Sequence, residues 1–266
     1  MRRATFAVGL FLALFLVLAF LTLPIVAIFV HASPADLIKS LGEPDARDAL
    51  WLSLKTSLAA LAIIVVIGTP AAYLLATRDF RGRTVVVTLI ELPLVLPPAV
   101  AGIALLASFG PQGLFGSALH DAGIELVLQT AGVIVALTFV AAPFYLRQAQ
   151  EAFAAVDRSL MDAARTLGAS EARAFIRVAV PCAGQGITSG MALAWGRAIG
   201  EFGATLMFAG SFQGITQTVP LAIFARFSTD FTSALALSGV LVLVSAALLL
   251  SVKMLGRSSV LGGGAT

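Results

Sequence analysis

Residues 157–181 read DRSLMDAARTLGASEARAFIRVAVP and lie between two long apolar runs, 124–146 and 183–209. The stretch reads as two short helices joined at a glycine. A helix is expected over 157–167, with Asp157 capping its N-terminus and Gly168 ending it in the left-handed conformation. Leu160, Ala163, Ala164 and Leu167 recur at a spacing of three to four and form one apolar stripe. Arg158 and Asp162 are spaced to pair at i,i+4 on another face. Ser170 caps a second helix with Glu171 in its first turn, and Pro181 suits the first turn of the next span. An exposed apolar stripe on such a unit needs a partner, and helix-in-groove docking is the expected mode. The alternative is an amphipathic loop packed on the protein's own helix ends.

The flanking runs belong to a set of six: 6–30, 51–77, 85–109, 124–146, 183–209 and 234–255. Each is long enough to cross about 30 Å of hydrocarbon at about 1.5 Å per residue. They are continuous rather than alternating, so they read as helices and not as barrel strands. Composition agrees. Of the 266 residues 59% are hydrophobic and 12% charged, against about 25% charged in soluble domains. Mean hydropathy is +1.00. The expected fold is therefore all-α, a polytopic membrane domain covering 1–266 with six transmembrane helices and a loop at about 147–181. The first run follows Arg2 and Arg3 as a signal peptide would, but at this length it reads as an uncleaved span.

The Lys and Arg residues orient the chain. Of 17, twelve fall in segments on one side, around residues 2–3, 78–83, 147–177 and 253–257. Lys39, Arg47 and Arg226 fall on the other, and Lys55 and Arg197 lie within spans. The bias places both termini and the 147–181 loop in the cytoplasm. Residues 30–50, 110–123 and 210–233 are then outer loops, the first of them acidic. The basic residues are dispersed between apolar runs, which does not suit a nucleic-acid surface. Cys182 is the only cysteine and His31 and His120 lie far apart, so neither a disulfide nor a metal site is expected. The glycine-rich tail from Leu261 is expected to lack fixed structure.

Asp162-Ala163-Ala164, then Gly168, then Val178-Ala179-Val180-Pro181 resembles the cytoplasmic loop of ABC importer permeases, whose pattern is Glu-Ala-Ala, three residues, Gly, nine residues, Ile-x-Leu-Pro. Every spacing is kept; Asp replaces Glu, and Val replaces Ile and Leu. The resemblance implies that Asp157, Leu160, Asp162, Ala163, Ala164, Leu167 and Gly168 form a coupling helix seated in a cleft of an ATPase subunit. It also implies a second permease copy, an isologous homodimer being simplest, and an extracytoplasmic substrate-binding protein. This chain is expected to be no enzyme and to hold no cofactor. Its lysines, Lys39, Lys55 and Lys253, follow Ile38, Leu54 and Val252, so it has no P-loop and needs a partner to supply ATP and Mg chemistry.

Two spans carry candidate pathway features. Leu92-Pro93-Leu94-Val95-Leu96-Pro97-Pro98 opens either as an interrupted helix lining a cavity or as an ordinary helix start with prolines in its first turn. In the fifth, Gly186/Gly190 and Gly196/Gly200 place small residues four apart for close contact. Arg197 and Glu201 lie one turn apart. Arg197 could offer positive potential to an anion, or the two could be a structural ion pair, the simpler reading for charges kept in a membrane. Thr205 could donate to a passing oxyanion, although such a residue more often bonds its own helix. Pro97, Pro98, Arg197, Gly200, Glu201 and Thr205 are the candidate pathway residues.

Residues 200–210, 214–224 and 92–105 resemble the molybdate importer permeases and their sulfate/thiosulfate relatives. Ser211-Phe212-Gln213 departs from the Asn-Ile-Pro of that pattern. The implied function is the cell-membrane permease subunit of an importer for molybdate, or tungstate. A sulfate/thiosulfate permease and an ion-coupled secondary transporter are the alternatives.

Overall fold

The computed structural model describes the backbone of residues 2–261 and the side chains of residues 6–251. The tail 262–266, and the side chains of Arg2, Arg3, Lys253 and Arg257 that entered the charge count, lie outside the described residues. In chain order the helices are α1 (Arg2–His31), α2 (Pro34–Gly42), α3 (Pro44–Thr77), α4 (Arg83–Val95), α5 (Pro98–Phe109), α6 (Gly116–Asp121), α7 (Thr130–Ala154), α8 (Arg158–Thr166) and α9 (Glu171–Ala174). A π-helical turn, Phe175–Ala179, leads into α10 (Val180–Cys182), α11 (Gly184–Ile199), α12 (Gly203–Ala209), α13 (Val219–Phe227) and α14 (Phe231–Leu261). No strand occurs among the described residues.

Four helical stretches are long and apolar enough to cross a bilayer: Phe6–His31, Pro44–Thr77, Thr130–Ala154 and Phe231–Ser251. The third expected span is instead α4 and α5, bent by 119° at Leu96-Pro97. Local sterics explain the break. A proline pushes the residue before it out of the α region, and two in succession do this to both Leu96 (ψ 133°) and Pro97 (ψ 136°). Pro98 then occupies the first turn of α5, where a missing N–H costs nothing. The fifth expected span is also two pieces, α11 and α12, parted at Gly200–Phe202. At about 1.5 Å per residue, neither alone crosses the hydrocarbon. The fourth is displaced towards the loop, starting at Thr130 after Leu128 takes a positive φ of 60°.

α3, α7 and α11 form the centre. Tyr145 of α7 is fully buried there; its ring lies against Gly68 and its hydroxyl bonds Thr69 Oγ1 at 2.6 Å. Trp195 of α11 donates to Ser57 of α3 at 3.0 Å. α1 buries no residue of its apolar window and packs on α14.

Two of the three segments expected on one face, 30–50 and 210–233, meet at one end, beside the start of α7. Arg226 pairs with Glu43 at 2.7 Å, Gln213 donates to Asp45 at 3.2 Å, and Thr130 donates to the Ile215 carbonyl at 2.8 Å. Residues 30–50, read as a loop, are largely helical. Ser33 and Asp36 form a reciprocal capping box that starts α2, and Pro44 starts α3 two turns before the expected boundary.

Glycine pairs behave unequally. A Cβ on Gly186 would collide with that of Ala152, and one on Gly190 would lie 3.2 Å from Gln148 Cβ, so this pair does bring α11 against α7. Among the described residues nothing lies within 4 Å of a Cβ on Gly196, and one on Gly200 would meet only its own helix, at 3.6 Å, so the expected contact does not form among them. A second close approach between helices is α5 on α12. A Cβ on Gly102 would sit 2.7 Å from the Ala204 carbonyl oxygen and 2.6 Å from Met207 Cβ. Gly102→Ala should therefore lower the melting temperature of the purified chain, at a cost of about 1–3 kcal/mol. Gly196→Ala should raise it or leave it unchanged, since Ala favours a helix by about 1 kcal/mol. The reverse order would contradict this packing.

Candidate functional site

The 157–181 loop folds as its local chemistry dictates. Asp157 accepts from the Ser159 N–H at 2.8 Å and caps α8; Gly168 takes φ +83° after it. Ser170 caps α9 through the Arg173 N–H at 3.4 Å. Leu160 is 47% and Leu167 89% exposed, Ala163 is exposed and Ala164 half-buried. The stripe thus presents Leu160, Ala163 and Leu167 outward.

Met161, which sequence reasoning passed over, is the residue that turns inward, 7% exposed. It joins a cluster with Phe153, Ala174 and Ala179. Beside it Tyr73, Phe153 and Phe175 form an aromatic triangle, with centroids 5.3, 4.7 and 6.0 Å apart. The loop is therefore seated on the ends of α3 and α7. The only sequence signal was an aromatic residue near the same end of each segment.

The expected Arg158–Asp162 pair does not form. Arg165 takes Asp162 instead, at 2.8 Å, and reaches across Gly168 to grip Glu171 bidentately at 2.8 and 3.0 Å. Arg158 gains one carboxylate at best, whereas Arg165 gains two. Arg165 holds the Glu171 carboxyl below its ordinary range, and the hydrogen bonds to Ser159 do the same for Asp157. With both native values depressed, the contribution is present above the ordinary carboxylate pKa of about 4 and is lost as pH falls through the native values. At neutral pH, Arg165→Gln should release the turn. Hydrogen exchange over residues 165–174 should quicken while α7 keeps its protection; unchanged exchange would show that Gly168 alone sets the turn.

The two helix breaks meet. A Cβ on Gly203 would lie 2.7 Å from Pro98 Cβ, so the Leu96-Pro97-Pro98 break abuts the start of α12. Glu201, 1% exposed, spans the second break. One carboxylate oxygen accepts the Ala204 N–H at 2.7 Å, and the other accepts Arg197 at 2.5 Å. The Arg197 side chain is 27% exposed, and Pro97, Pro98 and Gly200 are exposed beside buried groups. Thr205 is fully buried. Among the described residues its hydroxyl has no partner, not even on its own helix. The structure thus brings Pro98, Gly200, Glu201 and Arg197 to one junction of two interrupted helices. Such interruptions are tolerated at membrane depth where backbone lines a cavity or is covered by protein. Among the described residues no cluster of three metal-ligating side chains occurs.

Comparison with known proteins agrees with this architecture. Residues 64–258 match the family described as binding-protein-dependent transport system inner membrane component. The molybdenum transport system permease protein ModB of Mycobacterium tuberculosis is 42% identical over 88% of this chain and 89% of its own length. The molybdate/tungstate transport system permease protein WtpB of Pyrococcus abyssi is 38% identical over 72% of this chain and 73% of its own. Among solved structures, a bacterial alginate ABC transporter in complex with an alginate-bound periplasmic protein has a chain with a TM-score of 0.77 at 16% identity, covering 97% of this chain and 95% of that one. The resemblance to ABC importer permeases read from the loop, and to molybdate permeases read from residues 92–105, 200–210 and 214–224, is borne out by the family match and these relatives. By the extent of the family match and the identity to these relatives, the chain belongs to the inner membrane components of binding-protein-dependent transport systems.

Proposed function

We propose that this chain is the permease subunit of an ATP-driven importer for molybdate, or tungstate. The observation that carries the substrate is the 42% identity to a molybdenum permease over most of both chains. The observation that supports ATP coupling is the α8–Gly168–α9 unit, bridged across Gly168 by Arg165 and presenting Leu160, Ala163 and Leu167 outward. In this reading the chain crosses the membrane six times with both termini in the cytoplasm. α4–α5 and α11–α12 count as one interrupted crossing each. Two copies pair with two ATPase subunits, which carry ATP and Mg, and an external binding protein delivers the anion.

ATP binding closes the ATPase pair and displaces α8. Met161 and the Tyr73–Phe153–Phe175 triangle pass that displacement to α3 and α7. The junction at Pro97, Pro98, Arg197, Gly200, Glu201 and Thr205 then opens to the outer face, and hydrolysis resets it. Growth rescue of a molybdate-uptake mutant by this chain with its ATPase and binding protein tests the reading; failure to rescue when the complex assembles would refute it.

A sulfate reading has its own support in a probable sulfate transport system permease protein of Chlorokybus atmophyticus, 34% identical over 88% of this chain. Both anions are tetrahedral dianions. Molybdate uptake that survives a large excess of sulfate separates the two.

A further inference from the structure

An apolar groove opens on the flank of the bundle, at the end that carries α2. Its volume is about 740 Å³, within the range of about 300–1,000 Å³ typical of ligand sites. It is lined by Leu37, Ile38 and Leu41 of α2, by Trp51 of α3, and by Leu243 and Val244 of α14. Arg47 is the one charged residue in the lining. Of the carboxylates near it in sequence, Glu43 binds Arg226 and Asp45 accepts Gln213. Among the described residues Arg47 makes no ion pair.

Depth is set by two features. α2 is short and amphipathic, fixed at its start by the Ser33–Asp36 capping box, and carries Asp36 and Lys39 beside its apolar residues. Such helices lie at the boundary of headgroups and acyl chains. Trp51 is 67% exposed, and tryptophan gathers at that same boundary.

We propose that the groove is a phospholipid site, with one acyl chain lying between α2 and α14 and the lipid phosphate paired with Arg47. A guanidinium at the interfacial mouth of a hydrocarbon-lined groove matches an amphiphile with an anionic head and an apolar tail. Guanidinium and phosphate also suit each other in bidentate geometry. The site is separate from the helix-break junction and does not depend on which anion is carried.

The test uses the full chain in nanodiscs with two photoreactive probes, each with a diazirine on its acyl chain: phosphatidylglycerol and diacylglycerol. Phosphatidylglycerol label should concentrate on peptides containing residues 37–51 and 240–244, above the lipid-facing residues of α1. Arg47→Gln should lower that labelling about fivefold and leave diacylglycerol labelling unchanged. Leu243→Trp, which fills the groove from an exposed position, should lower both. Even labelling around the perimeter, or labelling indifferent to Arg47→Gln, overturns the proposal. So does efficient disulfide crosslinking of Ile38→Cys to a second copy in place of lipid label, which would give the groove to a protein interface.

Discussion

Replacing Leu160 and Leu167 together with glutamate should abolish co-purification of the ATPase partner, while the chain still inserts and folds. Leu167 is 89% and Leu160 47% exposed, so their loss removes little from the fold. If docking buries them, each contributes about 1.5–3 kcal/mol. Together they account for about a hundredfold to ten-thousandfold in affinity. Two carboxylates forced into an apolar cleft would weaken it further. The control is Met161→Glu. Met161 is buried against Phe153 and Ala174, so that change should unseat α8 and lower stability as well as docking. A Leu160/Leu167 variant that still captures its ATPase and still supports uptake would show that the loop is not the handle.

The loop was legible because its determinants are local. A cap acts over two or three residues, and a left-handed glycine acts on its own φ, so Asp157, Gly168 and Ser170 could be read one after another. The proline break was half legible. Successive prolines must distort Leu96 and Pro97, but whether the chain continues straight afterwards depends on what it meets. Here Gly102 and Gly203 let α5 lie directly on α12. The second break carried no proline. It exists because a buried carboxylate, Glu201, satisfies the Ala204 N–H that an unbroken helix would have turned elsewhere.

Pair choice was least legible. Arg158 and Arg165 are both within reach of Asp162 in one dimension, and only the fold of Gly168 brings Glu171 within reach of Arg165. The Tyr73–Phe153–Phe175 triangle joins Tyr73 to residues far along the chain, which periodicity within a single helix cannot reveal. The capping box at Ser33 and Asp36, by contrast, is a local signal, hidden only by the apparent loop around it.

Glu201→Gln should both loosen the protein and stop transport. Glutamine keeps the shape and can still accept the Ala204 N–H, but it leaves the Arg197 guanidinium without its counter-charge. Breaking one half of a buried ion pair costs about 3–5 kcal/mol, a large share of the about 5–15 kcal/mol that holds a typical domain. The melting temperature should therefore fall, and anion uptake should fall at least about tenfold, that loss matching only about 1.4 kcal/mol. The double variant Arg197→Met/Glu201→Gln then separates two roles. It removes both charges, so no lone ion remains buried and stability should largely return. If the partly exposed Arg197 beside the junction of two interrupted helices supplies positive potential to the anion, as proposed, uptake should not return. Near-normal uptake by the double variant would reduce the pair to a packing lock and move the anion's path elsewhere. A Glu201→Gln protein as stable as its parent would mean that Arg197 and Glu201 are not joined in the membrane at all.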